Sequence, residues 1–265
     1  MREPTWPQKW LAEFVGTWAL VLVGPGAAAV TLLLAEGTQK ATTFNIGIGA
    51  LGGLGDWLAI GLAFGFVIAA VIYSIGHISG AHINPAVTIA LASTGRFPRS
   101  QVIQYVIAQL AGAALGSLTL LAMLGARGAT VGGLGAPGLF PGVEAWQAYL
   151  AEAVGTFILM WTIMGVAVDQ RAPKGWAGLI IGLVVAGVII TMGNISGQGI
   201  NPARTFGPVF IDSFVPNAPR LWGHFLGYAL APIVGAVVAA FLYDAVSSSR
   251  AAAASTEAPA EQRAA

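Results

Sequence analysis

Two stretches decide the fold: Gly76-His77-Ile78-Ser79-Gly80-Ala81-His82-Ile83-Asn84-Pro85-Ala86 and Gly193-Asn194-Ile195-Ser196-Gly197-Gln198-Gly199-Ile200-Asn201-Pro202-Ala203-Arg204. Each follows a long apolar run, is rich in glycine and poor in helix formers, and ends in Asn-Pro-Ala, the second asparagine lying 117 residues after the first. Asparagine followed by proline starts a helix. The Asn side-chain oxygen caps the first turn, and Pro takes the position where a missing N–H is harmless. The pattern predicts short helices from Pro85 to about Thr94 and from Pro202 to about Ile211. At 1.5 Å per residue each is about 15 Å long, half of a hydrocarbon core of about 30 Å.

The rest of the chain supplies that core's other occupants. Apolar residues make up 56 % of the 265, glycine adds 36, and charged residues are only 9 %, against about a quarter in soluble proteins. So few charges cannot cover a water-facing surface; this surface is made for lipid. The 12 basic and 11 acidic residues nearly cancel, which leaves no electrostatic footprint for nucleic acid. There is no cysteine, hence no disulfide framework, no thiolate nucleophile and no Cys-type metal site, and block by thiol-reactive mercurials is not expected. Three scattered histidines, His77, His82 and His224, are poor material for a metal cage, so neither cofactor nor metal is expected, and no nucleophile–base pair suggests an enzyme.

Charge-free runs mark the spans, since a transmembrane helix needs about 20 apolar residues. Residues 14–35, 100–126 and 221–243 hold one span each, and Trp146 to Val168 holds a fourth, broken only by Glu152. The stretches 57–95 and 175–203 are too long for one helix and too awkward for two. Each begins as a span and turns into one of the two motifs. Irregular backbone at membrane depth is tolerated only where protein buries it or where it lines a watery cavity, so both motifs read as re-entrant. The fold class is therefore an all-α membrane protein of six transmembrane helices plus two re-entrant half-helices. The first apolar run is too long for a cleavable signal and is kept in the mature fold. The run 247–265, rich in Ala, Ser, Glu and Gln, has no apolar period and reads as a disordered tail.

The halves repeat. Ala12-Glu13-Phe14-Val15-Gly16-Thr17 matches Ala151-Glu152-Ala153-Val154-Gly155-Thr156, and Gln109-Leu110-Ala111-Gly112-Ala113 echoes Pro232-Ile233-Val234-Gly235-Ala236. The chain divides into a segment 1–9, a first repeat 10–128, a connecting loop 129–144, a second repeat 145–246 and the tail. Three spans per repeat, an odd number, force the second repeat to enter inverted, so the half-helices approach from opposite faces. Arg2, Lys9, Arg96, Arg99, Arg171, Lys174, Arg250 and Arg263 fall on one side, and Lys40, Arg127 and Arg220 on the other. This excess puts both termini in the cytoplasm and the connecting loop outside. Glycine pairs at helical spacing, Gly61 with Gly65, Gly112 with Gly116 and Gly178 with Gly182, read as close helix packing.

Stacked head to head, the half-helices would bring Asn84 and Asn201 side by side at the midplane, each capping its own helix and pointing its amide N–H₂ into a lumen. Two positive helix ends form a barrier to cations, and a water accepting from both amides has its protons aimed outward, which interrupts a proton relay. Carbonyls of Gly80 to Ile83 and Gly197 to Ile200 form acceptor ladders toward the two mouths. Arg204, a charge at membrane depth, is a functional residue by default. Glu13 and Glu152 have two readings. Their equivalence favours bracing the unpartnered N–H groups of the re-entrant loops; the rival is a titrating group of an ion-coupled transporter. His82 reads as a similar brace or as a donor facing the lumen, and His77 and His224 as interfacial.

Together, the six spans, the motifs Asn84-Pro85-Ala86 and Asn201-Pro202-Ala203, the repeated Ala-Glu-x-x-Gly-Thr and the arginine after the second motif resemble the aquaporin family over about residues 10 to 246. The runs Phe44 to Asp56 and Asp169 to Gly175 are similar to its archaeal-type branch. The resemblance implies a narrow filter at Phe64, Ile189, Gln198 and Arg204. Phe64 and Arg204 match water-selective members; Ile189 stands where those have histidine, which widens and dries the constriction, and the archaeal-type branch shares it. Gln198 departs from the usual small residue and either narrows the pore or points away with its carbonyl facing it. Thr205 stands where glycerol facilitators have aspartate. The resemblance implies a passive water channel of the cell membrane that excludes protons and ions, with Ile189 extending the expectation to small uncharged solutes such as glycerol, a dedicated glycerol facilitator as the nearer alternative, and a homotetramer with one pore per subunit.

Overall fold

The computed structural model describes residues 3–36 and 54–256. Its helices are α1 Trp6–Glu36, α2 Leu54–Ser79, α3 Pro85–Ser93, α4 Val102–Leu124, α5 Ala126–Thr130, α6 Ala145–Ile163, α7 Ala177–Ser196, α8 Pro202–Asp212 and α9 Phe225–Thr256. Six of them are long and apolar enough to cross a bilayer: α1, α2, α4, α6, α7 and α9. The half-helices α3 and α8 have 9 and 11 residues, within a residue or so of the lengths expected from the Asn-Pro starts. Most of the loop Phe44 to Asp56, together with Arg2, Lys40, Arg263 and residues 257–265, lies outside the described residues.

Pairing of the helices follows an approximate two-fold relation. α1 packs on α4 as α6 packs on α9, α1 on α2 as α6 on α7, while α2 and α7 pack on each other. Each half-helix leans on the last span of the other repeat, α3 on α9 and α8 on α4. The repeats therefore interlock rather than stand side by side.

Small residues make these crossings possible, because lipid offers no hydrophobic drive and helices associate by close packing. A Cβ at Gly112 would lie 2.2 Å from the Phe14 carbonyl oxygen, and one at Gly235 would lie 2.0 Å from that of Ala153. These are the same contact in the two repeats. On the axis, a Cβ at Gly182 would stand 2.4 Å from the Gly65 carbonyl oxygen.

Both described chain ends lie on one face. Trp6 meets the ring of Phe97 edge-on, and Arg96 grips Asp244 of α9 with two hydrogen bonds of 2.8 and 2.6 Å. α6 ends in a π-helical turn, Met164–Val168, before Asp169. α9 continues past Val246 through Thr256, where a structureless tail is expected from composition. The run Ala251 to Ala254 has the best helix propensity of any residue type, and extending a helix already nucleated costs little.

Candidate functional site

The site begins at two helix starts. Asn84 and Asn201 are extended, with φ of −154° and −158°, and their Oδ1 atoms accept from the backbone N–H of Ala86 and Ala203 at 2.9 Å. Asn201 Oδ1 also accepts from the Arg204 N–H at 3.2 Å. The N-termini do meet head to head, but the amides do not both point freely into a lumen. Asn84 Nδ2 donates to the Ile200 carbonyl and Asn201 Nδ2 to the Ile83 carbonyl, each at 2.8 Å. One hydrogen of each amide thus ties a half-helix to the opposite loop, and one remains. The same bonds engage one lone pair of the Ile83 and Ile200 carbonyls and leave the other. Sequence reasoning could not foresee this, because the partner of each amide belongs to the other repeat.

The loops before the asparagines are strained. Ala81, Ile83, Gln198 and Ile200 have φ of 49°, 43°, 42° and 42°, a region that costs a residue with a Cβ about 1–3 kcal/mol. What holds them is a carboxylate. In the first repeat, Glu13 Oε1 accepts from Ser79 Oγ at 2.7 Å and the His82 N–H at 2.9 Å, and Oε2 from the Ile83 N–H at 2.6 Å. In the second, Glu152 Oε1 accepts from Ser196 Oγ and the Gly199 N–H, both at 2.7 Å, and Oε2 from the Ile200 N–H at 2.5 Å. Both carboxylates are fully buried. Their oxygens are engaged by the serine hydroxyls and N–H groups of the loops.

Several braces escaped the sequence reading. Tyr105 and Tyr228 donate to the carbonyls of Ser79 and Ser196 at 2.9 and 2.8 Å, closing the last turns of α2 and α7. The signal was present: Ser79 and Ser196 share the offset of the asparagines, and the tyrosines share that of Gln109 and Pro232. Gln109 adds a bond to Glu13 Oε2 at 2.8 Å and one to Thr88 Oγ1 at 3.0 Å. Thr88 donates to the Asn84 carbonyl at 3.0 Å, and His82 Nδ1 lies 3.2 Å from the same hydroxyl. The Thr88 hydroxyl thus links His82 Nδ1, Gln109 and the Asn84 carbonyl. His82 is thus a brace through Nδ1 while also bordering the cavity described next.

From Asn84 and Asn201 toward the face carrying the chain ends runs a cavity of about 370 Å³. Its walls are aliphatic, with Leu20, Ile68, Leu159 and Val185 among them, and the strained Gly80 to Ile83 backbone supplies its polar strip; Arg96 stands at its edge.

On the opposite side of the asparagines lies Arg204, 1 % exposed. Its guanidinium sits 5.1 Å over the Phe64 ring, and Nη1 donates to the Gly135 carbonyl at 2.9 Å. Gly135 was not foreseen. It sits in the 3₁₀ turn Gly133–Gly135 with φ of +73°, pressed so closely on α1 that a Cβ would lie 2.0 Å from the Pro25 carbonyl oxygen. Ile189 joins Phe64 in one buried apolar cluster. Gln198 does not present its side chain beside them. Its Nε2 donates to the Ala151 carbonyl at 3.1 Å and to Ser196 Oγ at 3.3 Å, turning the amide toward α6. Of the two expectations for Gln198, the structure takes the one in which it points away.

A family profile described as Major intrinsic protein matches residues 1–243. The chain belongs to the major intrinsic protein family. "Aquaporin AqpM" from Methanothermobacter marburgensis is 60 % identical over 238 residues, covering 90 % of this chain and 96 % of that one. "Probable aquaporin AqpM" from Archaeoglobus fulgidus is 62 % identical over 240 residues, covering 91 % and 97 %. The solved structure of the aquaglyceroporin from Plasmodium falciparum superposes with a TM-score of 0.74 at 26 % identity, over 91 % of this chain and 96 % of that one. As a major intrinsic protein the chain is a membrane protein, and its resemblance to the archaeal-type branch agrees with relatives of about 60 % identity.

Proposed function

We propose that the protein is a passive channel for water that also admits small uncharged solutes such as glycerol and excludes protons and ions. The observation that carries this reading is the reciprocal pair of 2.8 Å bonds between Asn84, Asn201 and the opposite loops. It leaves each amide one donor hydrogen beside two helix N-termini. A water passing there accepts from both asparagines, and the positive helix ends repel a cation.

Selection is assigned to Phe64, Ile189 and Arg204, with the backbone at Gln198 completing the ring. An isoleucine offers no hydrogen bond to water and leaves an apolar wall against which the carbon backbone of a polyol fits, while Arg204 serves its hydroxyls. This favours a mixed channel over a strictly water-selective one. The relatives named aquaporins support the reading.

In this reading the repeats 10–128 and 145–246 form the two halves of one pore, with 129–144 on the outer side. Both termini are cytoplasmic, the membrane is the plasma membrane, and four copies assemble with one pore each. The test is reconstitution into liposomes with stopped-flow light scattering under impermeant-osmolyte and glycerol gradients. Fast water flow of low activation energy with measurable glycerol entry is the expected result; water flow no faster than in empty liposomes would overturn the proposal.

A further inference from the structure

The repeats share a backbone but differ in what fills the space behind each half-helix. In the first repeat that space is solid. The His82 and Phe97 rings lie 4.9 Å apart and those of Phe97 and Tyr105 4.5 Å apart, with Trp6 closing the stack. The fully buried Thr88 hydroxyl is held there by His82 Nδ1 and Gln109 Nε2.

In the second repeat the threonine and the tyrosine are kept, but the histidine and the glutamine are replaced and the phenylalanine is turned away. Thr205 stands for Thr88 and Gly199 for His82, at the offset of the asparagines, and Pro232 stands for Gln109. Phe214, at the place of Phe97 in that register, is 71 % exposed and turned onto Phe210. Thr205 is 2 % exposed, yet its hydroxyl has no partner among the described residues. It borders a cavity of about 100 Å³ whose walls include Pro137, Val209, His224, Phe225 and Tyr228. This cavity shares no lining residue with the larger one. A Cβ at Gly199 would lie 2.6 Å from Thr205 Oγ1 and 3.2 Å from Glu152 Oε2, so hydroxyl and carboxylate both press on the bare Gly199 Cα and no side chain can take the place of His82 there.

We propose that this cavity is a water-binding site separate from the conduction path, in which an ordered water replaces the missing Gln109 amide. The water pairs with Thr205 Oγ1, the buried hydroxyl on the cavity wall that has no other partner among the described residues. The Tyr228 phenolic oxygen, which donates to Ser196, keeps lone pairs to accept a further bond. A buried water needs two to four polar partners and about 10–15 Å³ of space for its centre, which this cavity exceeds. A lone buried hydroxyl keeps the full desolvation penalty of its unmade bond, which such a water relieves. Exposed His224 marks the way to solvent. The space behind one half-helix is thus packed dry and that behind the other is hydrated from its side of the membrane.

Radiolytic hydroxyl-radical footprinting of the full chain in vesicles tests this, because radicals form in place from bound water. Tyr105 and Tyr228 are equally buried, at 0 % and 2 % exposed, and serve as an internal pair. Tyr228 is expected to be oxidised several-fold faster than Tyr105, and Pro232→Gln, which restores the amide, to bring its rate down toward that of Tyr105. Equal oxidation of the two tyrosines in the native protein overturns the site, as does a Tyr228 rate unmoved by a folded Pro232→Gln variant. If that variant does not fold, the native comparison decides alone.

Discussion

Asn84 and Asn201 each donate one amide hydrogen to the carbonyl of the residue before the other, at 2.8 Å in both directions. The two bonds close a ring across the interface of the repeats, so neither half-helix is positioned without its counterpart. Replacing Asn201 by Ala removes a cap worth about 1 kcal/mol and leaves the Ile83 carbonyl unpaired, at a further cost of about 1 kcal/mol or more. Asn84→Ala should behave alike. Thermal unfolding in detergent is expected to show a Tm several degrees lower for each variant, with water permeability reduced in parallel.

The carboxylate braces make a sharper prediction. Glu13→Gln turns an amide N–H₂ toward the donors of Ser79, the loop backbone and Gln109. Hydrogen bonds to a charged acceptor are worth about 1.5–3 kcal/mol each, so the loss should amount to about 3 kcal/mol, read as a large fall in folded, membrane-inserted yield. A Glu13→Gln protein with native Tm and native flux would show that the loop holds its strained backbone unaided.

Because the Gln198 amide is bonded to Ala151 and Ser196, its side chain should not set the solute range. Gln198→Ser is expected to leave the ratio of glycerol to water permeability within about twofold of native, whereas Ile189→His lowers it by a larger factor by adding a ring and a donor at the constriction. Paired stopped-flow traces on the two variants separate these roles.

Arg204→Val deletes the guanidinium bonded to Gly135 and stacked over Phe64. Proton leak across sealed vesicles, followed with an internal pH dye, is expected to rise as the charge barrier falls. A leak equal to native would sink the electrostatic role and leave Arg204 only the shape of the constriction.

Outside the spans, the Arg171 guanidinium and backbone N–H hold the Asp169 carboxyl below the usual carboxylate range. A depressed carboxyl pKa contributes stability above the unfolded value of about 3.9 and loses it as pH falls through the lower folded value. Asp169→Asn is therefore expected to destabilise the protein at neutral pH and to show a flatter decline in Tm on acidification below about pH 4 than native. Parallel acid limbs would mean the pair contributes nothing.

The spans, the half-helix starts, the inverted repeat and the bracing carboxylates were all legible in the sequence by itself. Each rests on a local rule: apolar length against bilayer thickness, Asn-Pro against helix ends, an odd number of crossings, and buried charge against unpartnered N–H groups. What only the tertiary structure decided lies where residues of different repeats or distant loops meet. The asparagine amides turn to each other's loops, Gly135 arrives from the connecting segment to receive Arg204, and Gln198 swings toward α6. The course of α9 past Val246 is likewise a matter of an existing helix extending itself. Spacing along a chain determines which groups need partners. Which partner each one finds depends on the distances that remain after the helices have packed.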